Sequence, residues 1–238
     1  MKNLFKSILI LSGVASLSAM GGTYTTTFPL NENPISESGA WINGGVVGLD
    51  WSNCATASGF VYGAQTGAGT GIAQYTDSTA LLAGTWGPTQ TVSAVVKVWN
   101  QAPATVGQEV ELRLLSNLSA HSSTGYEITY SVCAADPYTG IARWDGELGV
   151  YSIMATENSH YARDGDTVTA VASNGVIYLY INGSLILQAS DSTYTNGNPG
   201  IGFFLDNNNG TSSPGNSTDF GFTSFTASDS ISHHHHHR

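Results

Sequence analysis

Alternation of apolar and polar residues runs through most of the chain and predicts β-strands. It is clearest in residues 91–99, 108–115 and 125–133, where every second side chain is apolar. No segment carries a sustained helical period. Short strands separated by turn residues every ~8–12 positions predict an all-β fold, a two-sheet antiparallel jelly-roll sandwich.

Shorter extended segments complete the predicted strand set and fill residues 20–229, which we assign to a single domain. They are expected at 23–29, 41–43, 46–51, 59–62, 78–83, 140–144, 149–154, 199–205 and 219–227. Segment 78–83 is predicted as a strand or a brief helix. The first and last strands are expected to lie near each other, as chain ends in compact domains often do.

The stretch from Asp164 to Gln188 predicts a three-stranded meander. Its apolar runs are separated by Asn174-Gly175 and Asn182-Gly183. Asn-Gly between alternating apolar residues is a strong hairpin signal, because both turn positions need a positive φ. The turns therefore set the register of this meander.

The two chain ends carry signals unrelated to the fold. Residues 1–19 have Lys2 and Lys6 before a short apolar core, which predicts a signal peptide and a secreted, extracellular or periplasmic protein. The apolar run is too short for a membrane anchor, so no membrane insertion is expected. The His-rich tail, 230–238, resembles a purification tag.

Charge and cysteine content narrow the partners. The formal net charge is −10, and it is two units more negative without Lys2 and Lys6. Such a surface repels nucleic acid and anionic membranes. Two cysteines remain, Cys54 and Cys133; an exported protein favours a disulfide between them, with two buried free thiols as the alternative.

Several strings resemble the concanavalin A-like lectin/glucanase superfamily, especially its laminin-G-like and glycan-processing branches. They are G-Q-E-V-E-L-R-L-L, T-G-Y-E-I-T-Y, I-A-R-W-D-G, the meander with Y-I-N-G, and G-N-P-G-I-G-F-F. The resemblance spans about 92–227 and implies a curved jelly roll that handles carbohydrate, often with a structural calcium ion. Fold alone does not assign an activity.

Catalytic strings of that superfamily are not found in this sequence. The glucanase pattern Glu-x-Asp-x-x-Glu is missing, and Glu111-Leu112-Arg113 only partly matches the alginate-lyase pattern, without its Gln-x-His strand. The resemblance therefore favours a carbohydrate-binding protein whose partner is a polysaccharide or glycan. Its oligomeric state is not readable. The alternatives are a polysaccharide-cleaving enzyme, a glycoside hydrolase or lyase, and a surface adhesin or structural subunit.

Polar faces of consecutive strands supply the candidate binding residues. Period-two geometry places each set on one side of its strand. The proposed groove combines cations, aromatic rings and carboxylates: Lys97, Trp99, Glu109, Glu111, Arg113, Glu127, Thr129, Arg143 and Trp144. An ordinary solvated face with weak cross-strand ion pairs is the alternative.

Catalytic and metal candidates follow from the same residues and from two loops. Glu111 and Glu127 on neighbouring strands could form a carboxylate pair for glycoside cleavage, with Arg113 expected to lower their pKa values. Candidates for proton transfer in a lyase are His121, His160 and Tyr161. By family analogy, a calcium ion would join Glu32 to Asp219, and the oxygen-rich string that begins at Asp206 is a second source of ligands.

Overall fold

The computed structural model describes residues 22–65, 74–101, 107–206 and 215–230. Within these ranges the chain forms fifteen β-strands arranged in two antiparallel sheets, which confirms the all-β prediction. The signal-peptide prediction, the tail beyond residue 230 and the 207–210 part of the calcium string lie outside the described residues. In the described ranges, no helix is both long and apolar enough to cross a bilayer.

Eight strands form the first sheet. Its order is β13-β12-β11-β6-β15-β4-β3, with β1 paired to β15. These strands are β1 (Thr23–Thr26), β3 (Cys54–Ala57), β4 (Phe60–Gly63), β6 (Thr89–Val98), β11 (Thr167–Ser173), β12 (Val176–Ile181), β13 (Ser184–Ser190) and β15 (Phe220–Ser230). The pairing of β1 with β15 confirms that the first and last strands are neighbours.

Seven strands form the second sheet, in the order β10-β9-β8-β7-β14-β5-β2. They are β2 (Trp41–Asn43), β5 (Ser78–Leu82), β7 (Gln108–Ser119), β8 (Ser122–Ser131), β9 (Thr139–Gly146), β10 (Tyr151–Glu157) and β14 (Asn198–Leu205). Alternating apolar side chains of both sheets meet in one core. Phe203 of β14 lies 5.3 Å from Phe222 of β15, ring centre to ring centre, and joins the two layers.

The meander forms as the Asn-Gly turns predict. β11, β12 and β13 pair in sequence, and residues Asn174 and Asn182 have φ of 50°. Their glycine partners, Gly175 and Gly183, have φ of 74° and 78°. Both hairpins therefore use two successive residues in the left-handed region, which Asn and Gly tolerate best.

Two expectations from the sequence are wrong. Segment 46–51 is not a strand: Gly44–Gly48 forms a π-helical turn, closed by a hydrogen bond from Leu49 N to Gly44 O. The three glycines permit this close packing, since a side chain at Gly44 would meet Trp51 at 2.8 Å. Cys54 and Cys133 are both buried and form no disulfide with each other; Cys54 belongs to the first sheet, and Cys133 lies two residues after the end of β8 in the second.

Candidate functional site

The site lies on the face of the seven-stranded sheet that points away from the core, which we call the distal face. Along β7 and β8, Val110, Leu112 and Ile128 point into the core. Alternate residues therefore point to the distal face. These are Glu109, Glu111 and Arg113 on β7, Glu127 and Thr129 on β8, and Ala142 and Trp144 on β9.

Strand register joins three of the predicted residues into one ionic group. Arg113 pairs with Glu127 across β7 and β8. Its Nη1 lies 2.6 Å from Glu127 Oε2, and its Nη2 donates to Glu111 Oε2. The three residues are almost completely buried, with exposures of 2% for Arg113, 0% for Glu111 and 7% for Glu127. Burial of charge at this depth requires such pairing.

A glycine on the neighbouring strand makes room for this group. Gly202 of β14 pairs with Glu111 of β7. A Cβ at this position would lie 2.1 Å from Glu111 Oε2 and 3.1 Å from Arg113 Nε. Only glycine fits beside the ion pair, so the G-I-G-F string of the sequence has a direct role in forming the site.

A fourth acid enters from a loop and had not been predicted. Asp77 is 5% exposed and directly precedes the first residue of β5. Asp77, Glu111 and Glu127 each place an oxygen within 4.8 Å of the others. Asp77 Oδ1 is buried and accepts no hydrogen bond from any described residue. Its position depends on backbone bonds between Ser52 and residues 77 and 79, a long-range contact with no local sequence signal.

Burial raises the pKa values of these acids. It raises the pKa of Glu109 to about 8 and the pKa of Asp77 and of Glu111 well above the ordinary range, although Arg113 opposes each shift. We expected Arg113 to lower the pKa of Glu111, and this was wrong because desolvation outweighs the attraction. The hydrogen bond between the Glu109 and Glu111 carboxyls lowers the pKa of Glu109 and so opposes part of its rise.

An open pocket gives access to this group. Its volume is about 200 Å³, and carboxyls, hydroxyls, aromatic rings and aliphatic side chains contribute to its wall. We call it the acidic pocket, and it is defined by Tyr75, Asp77, Glu109, Glu127, Thr129, Tyr138, Gly140, Trp144, Tyr151 and Phe204. Gly140 adds space, because a Cβ there would lie 2.9 Å from Thr129 Oγ1.

Four rings form a continuous row beside the pocket. Trp51 contacts Trp144 at 6.0 Å, Trp144 contacts Tyr151 at 5.4 Å, and Tyr151 contacts Tyr75 at 5.5 Å between ring centres. Trp144 is 2% exposed and donates from Nε1 to Glu127 Oε2 at 2.6 Å, so it holds the carboxylate in place. Tyr151 is 36% exposed and offers the accessible ring. Tyr151 was not among the predicted site residues. It pairs with the predicted Trp144 in the β9–β10 hairpin, and this neighbour could have indicated it.

Three other predicted binding residues lie elsewhere. Lys97 lies on the outer side of β6 in the eight-stranded sheet, and Trp99 directly follows this strand; Lys97 Nζ lies 4.2 Å from the Trp99 ring centre. Arg143 of β9 pairs with Tyr126 of β8, which is a core residue. Its guanidinium bonds to Asp145 and to Asp191, so it ties β9 to the segment that follows β13. The single groove expected from the sequence does not include these three.

The proton-transfer candidates from the sequence occupy surface turns. His121 Nδ1 lies 2.9 Å from Asp50, and His160 Nδ1 lies 3.0 Å from Glu157. Tyr161 stacks against the guanidinium of Arg163 at 4.5 Å. None of these residues belongs to the lining of the acidic pocket.

The predicted calcium ligands form hydrogen bonds with other protein groups. Glu32 Oε2 accepts from the backbone of residues 36 and 37, and Asp219 accepts from Asn100 and from the backbone of Asn216. The backbone N–H of Asp206 donates a hydrogen bond to the carbonyl oxygen of Gly107. Within the described ranges, the acids placed closely enough to share an ion are Asp77, Glu111 and Glu127.

Comparison with known proteins finds likeness at the level of structure. No protein-family model matches the chain, and no curated protein matches it. A carbohydrate-binding module, CBM66 from Bacillus subtilis, superposes with a TM-score of 0.51 at 13% identity, over 83% of this chain and 96% of that one. The VIP36 exoplasmic/lumenal domain, solved with Ca²⁺ and Man3GlcNAc, superposes with a TM-score of 0.53 at 11% identity, over 84% and 87%.

The fold is a concanavalin A-like jelly roll. A GH43 protein, BlXynB from Bacillus licheniformis, extends the likeness with a TM-score of 0.54 at 8% identity, over 87% of this chain but 39% of that one. At these identities the likeness of the jelly roll is one of fold, and its chemistry has to be argued from the acidic pocket.

Proposed function

We propose that this jelly roll is a carbohydrate-binding protein whose ligand occupies the acidic pocket. The observation that carries the proposal is the combination, in one pocket, of accessible aromatic rings with hydrogen-bonding groups on a rigid sheet. Tyr151 and Tyr75 present ring faces suited to the C–H surface of a sugar. Glu109 and Glu127 accept hydrogen bonds from sugar hydroxyls, and Thr129 both donates and accepts.

The structural neighbours support this choice of ligand class. The CBM66 module is by its description carbohydrate-binding, and the VIP36 domain was solved with a bound mannose-containing glycan. The size of the acidic pocket also fits one sugar ring with its hydroxyls. Small-molecule sites of this kind combine apolar walls with a few placed polar groups.

A glycan array followed by calorimetry tests the proposal. We expect Tyr151→Ala to weaken binding of the retained glycan by about fivefold or more, because a stacked ring contributes roughly 1 kcal/mol or more. Tyr178→Ala is the matched control, since Tyr178 lies on β12 of the other sheet. Equal loss in both variants, or no loss in either, would place the ligand elsewhere.

Polysaccharide cleavage is a second candidate, supported by the spacing of the acids. Asp77, Glu111 and Glu127 approach within 4.8 Å, near the ~5–5.5 Å separation used by retaining glycosidases. The pKa of Glu109, raised to about 8, keeps this carboxyl protonated at neutral pH and suited to act as an acid. New reducing ends or unsaturated products that disappear in Glu127→Gln and persist in Glu147→Gln, an exposed acid outside the acidic pocket, would establish cleavage.

Export and a structural calcium ion complete the proposal. Residues 1–19 have the composition of a signal peptide, and cell fractionation with N-terminal sequencing of the mature protein tests this. If calcium binds in the segment near Asp206 and Asp219, adding calcium raises the melting temperature of the protein, and adding a chelator lowers it again. A melting temperature that changes neither with calcium nor with the chelator would contradict the calcium part of the proposal.

A further inference from the structure

Acidic groups outnumber cations in and around the acidic pocket. Asp77, Glu109 and Glu127 line it, the neighbouring Glu111 adds a fourth carboxyl group, and Arg113 supplies one guanidinium beside them. Arg113 is already committed to Glu111 and Glu127. An additional positive group is therefore the chemical feature that this pocket lacks.

One carboxylate oxygen of the pocket wall is buried without a hydrogen-bond donor from the described part of the chain. Asp77 is 5% exposed, lines the pocket, and its Oδ1 has no hydrogen-bond donor among the described residues. A buried acceptor left unpaired destabilises the folded state, and does so more strongly when it is charged. A ligand that donates to Asp77 relieves this cost, and a ligand that donates with a positive charge relieves it further.

The raised pKa values point the same way. Asp77, Glu109 and Glu111 all have pKa values above their ordinary range because burial and mutual repulsion disfavour their charged forms. Protons bound to these carboxyl groups supply positive charge when no cationic ligand is present. A cationic ligand can take the place of those protons.

The aromatic wall selects an organic cation over a bare metal ion. Tyr75, Tyr138, Tyr151 and Trp144 line the same cavity, and aromatic faces attract ammonium groups. A calcium ion prefers six to eight oxygen ligands, whereas here a guanidinium already occupies one oxygen of Glu111 and one of Glu127. The volume of about 200 Å³ also exceeds what a single ion fills and fits a ring.

We propose that the acidic pocket binds an amino sugar, with the protonated amine donating to Asp77 and the neighbouring carboxyls and the ring lying against Tyr151 and Tyr75. This inference rests on the proposed function and narrows its ligand class. N-acetylation of the sugar removes the positive charge. Comparing the acetylated and free-amine forms of one sugar therefore separates the preference for an amine from carbohydrate binding in general.

Calorimetry with a panel of methyl glycosides tests it on the full protein. The panel holds 2-amino sugars of the gluco, galacto and manno series, their N-acetyl forms and the neutral parent sugars. We expect at least one free amine to bind at least about tenfold more tightly than its N-acetyl form. This preference should disappear in Asp77→Asn and persist in Glu147→Gln, the matched loss of an exposed acid.

The remaining outcomes are distinct. Equal or tighter binding of neutral or acetylated sugars at Tyr151 overturns the amine inference and leaves carbohydrate binding intact. No binding by the panel, with a glycan array that is also negative, overturns both. Another outcome is an amine preference that is unchanged both in Asp77→Asn and in a second variant, Glu109→Gln. That result would assign the preference to the acidic surface of the protein and overturn the inference. Calcium binding that is lost in Asp77→Asn and excludes the amine also overturns it.

Discussion

Strands β6 and β7 both alternate apolar residues with polar ones, yet their polar faces differ in exposure. On β6, Lys97 keeps 25% of its side chain exposed, and its ion pair with Asp164 lies at the surface. On β7, Glu111 and Arg113 are almost fully buried. The difference arises from distant segments: Trp51 and the aromatic row cover the distal face, and the segment of Asp77 closes one side. Alternation therefore defines the two faces of a strand, and chain packing decides whether a polar face becomes a solvated surface or a pocket.

The largest effect is expected from removing the central cation of the buried face. Arg113→Met leaves the carboxylates Glu111 and Glu127 without their partner, and we expect a loss of about 3–5 kcal/mol in the free energy of unfolding. Urea unfolding measures it. A loss below about 1 kcal/mol would mean that this face is solvated like that of β6.

The next effect concerns the space that one glycine provides. Gly202→Ala places a Cβ against Glu111 Oε2, so we expect a loss of roughly 2–3 kcal/mol as the ion pair moves. Gly107→Ala is the control, because its nearest neighbour would be at an ordinary 3.4 Å. Equal melting temperatures for the two variants would contradict the close packing described for β14.

The pH dependence of stability distinguishes the two faces without a large structural change. The pKa of Glu109 rises to about 8 on folding from its ordinary value of 4.5, so the folded state holds the extra proton between these values. Stability is therefore highest below about pH 4.5 for this group and falls as pH rises towards 8, by on the order of 5 kcal/mol. Glu109→Gln should flatten this slope. An unchanged slope in the variant would assign the dependence to other groups.

The smallest effect is expected on the exposed face. Lys97→Met removes the surface pair with Asp164, and we expect a change of less than about 1 kcal/mol that shrinks further in high salt. Urea unfolding at two salt concentrations measures it. A cost comparable to that of Arg113→Met would erase the contrast between β6 and β7.

Much of the fold was predictable because it depends on local chemistry. The Asn-Gly turns at 174–175 and 182–183 set the meander, and the period-two pattern located β6, β7 and β8. The pairing of Glu111, Arg113 and Glu127 followed from the same alternation. The π-helical turn at 44–48 was missed because its glycines serve contacts with Trp51, which sequence patterns do not reveal.

The rest of the acidic pocket depends on contacts between distant residues. Asp77 and Tyr75 reach it through a loop held by Ser52, about 25 positions earlier, so no local pattern marks them. The sheet order was also not readable: Lys97 and Arg113 are close in sequence, but β6 and β7 belong to different sheets. The pKa of Glu111 was misjudged for a related reason, since burial depth is a property of the packed molecule.

The pairing of β1 with β15 has a consequence for engineering. Thr23 lies opposite Ser228 across one strand spacing, about 5 Å, so a short linker could join the ends of the folded region. New termini could then open at the exposed Asn182-Gly183 turn, producing a circular permutant. All seven strands of the sheet that carries the acidic pocket would keep their connections. The permutant should therefore still bind the ligand of this pocket, although its strands are synthesised in a different order.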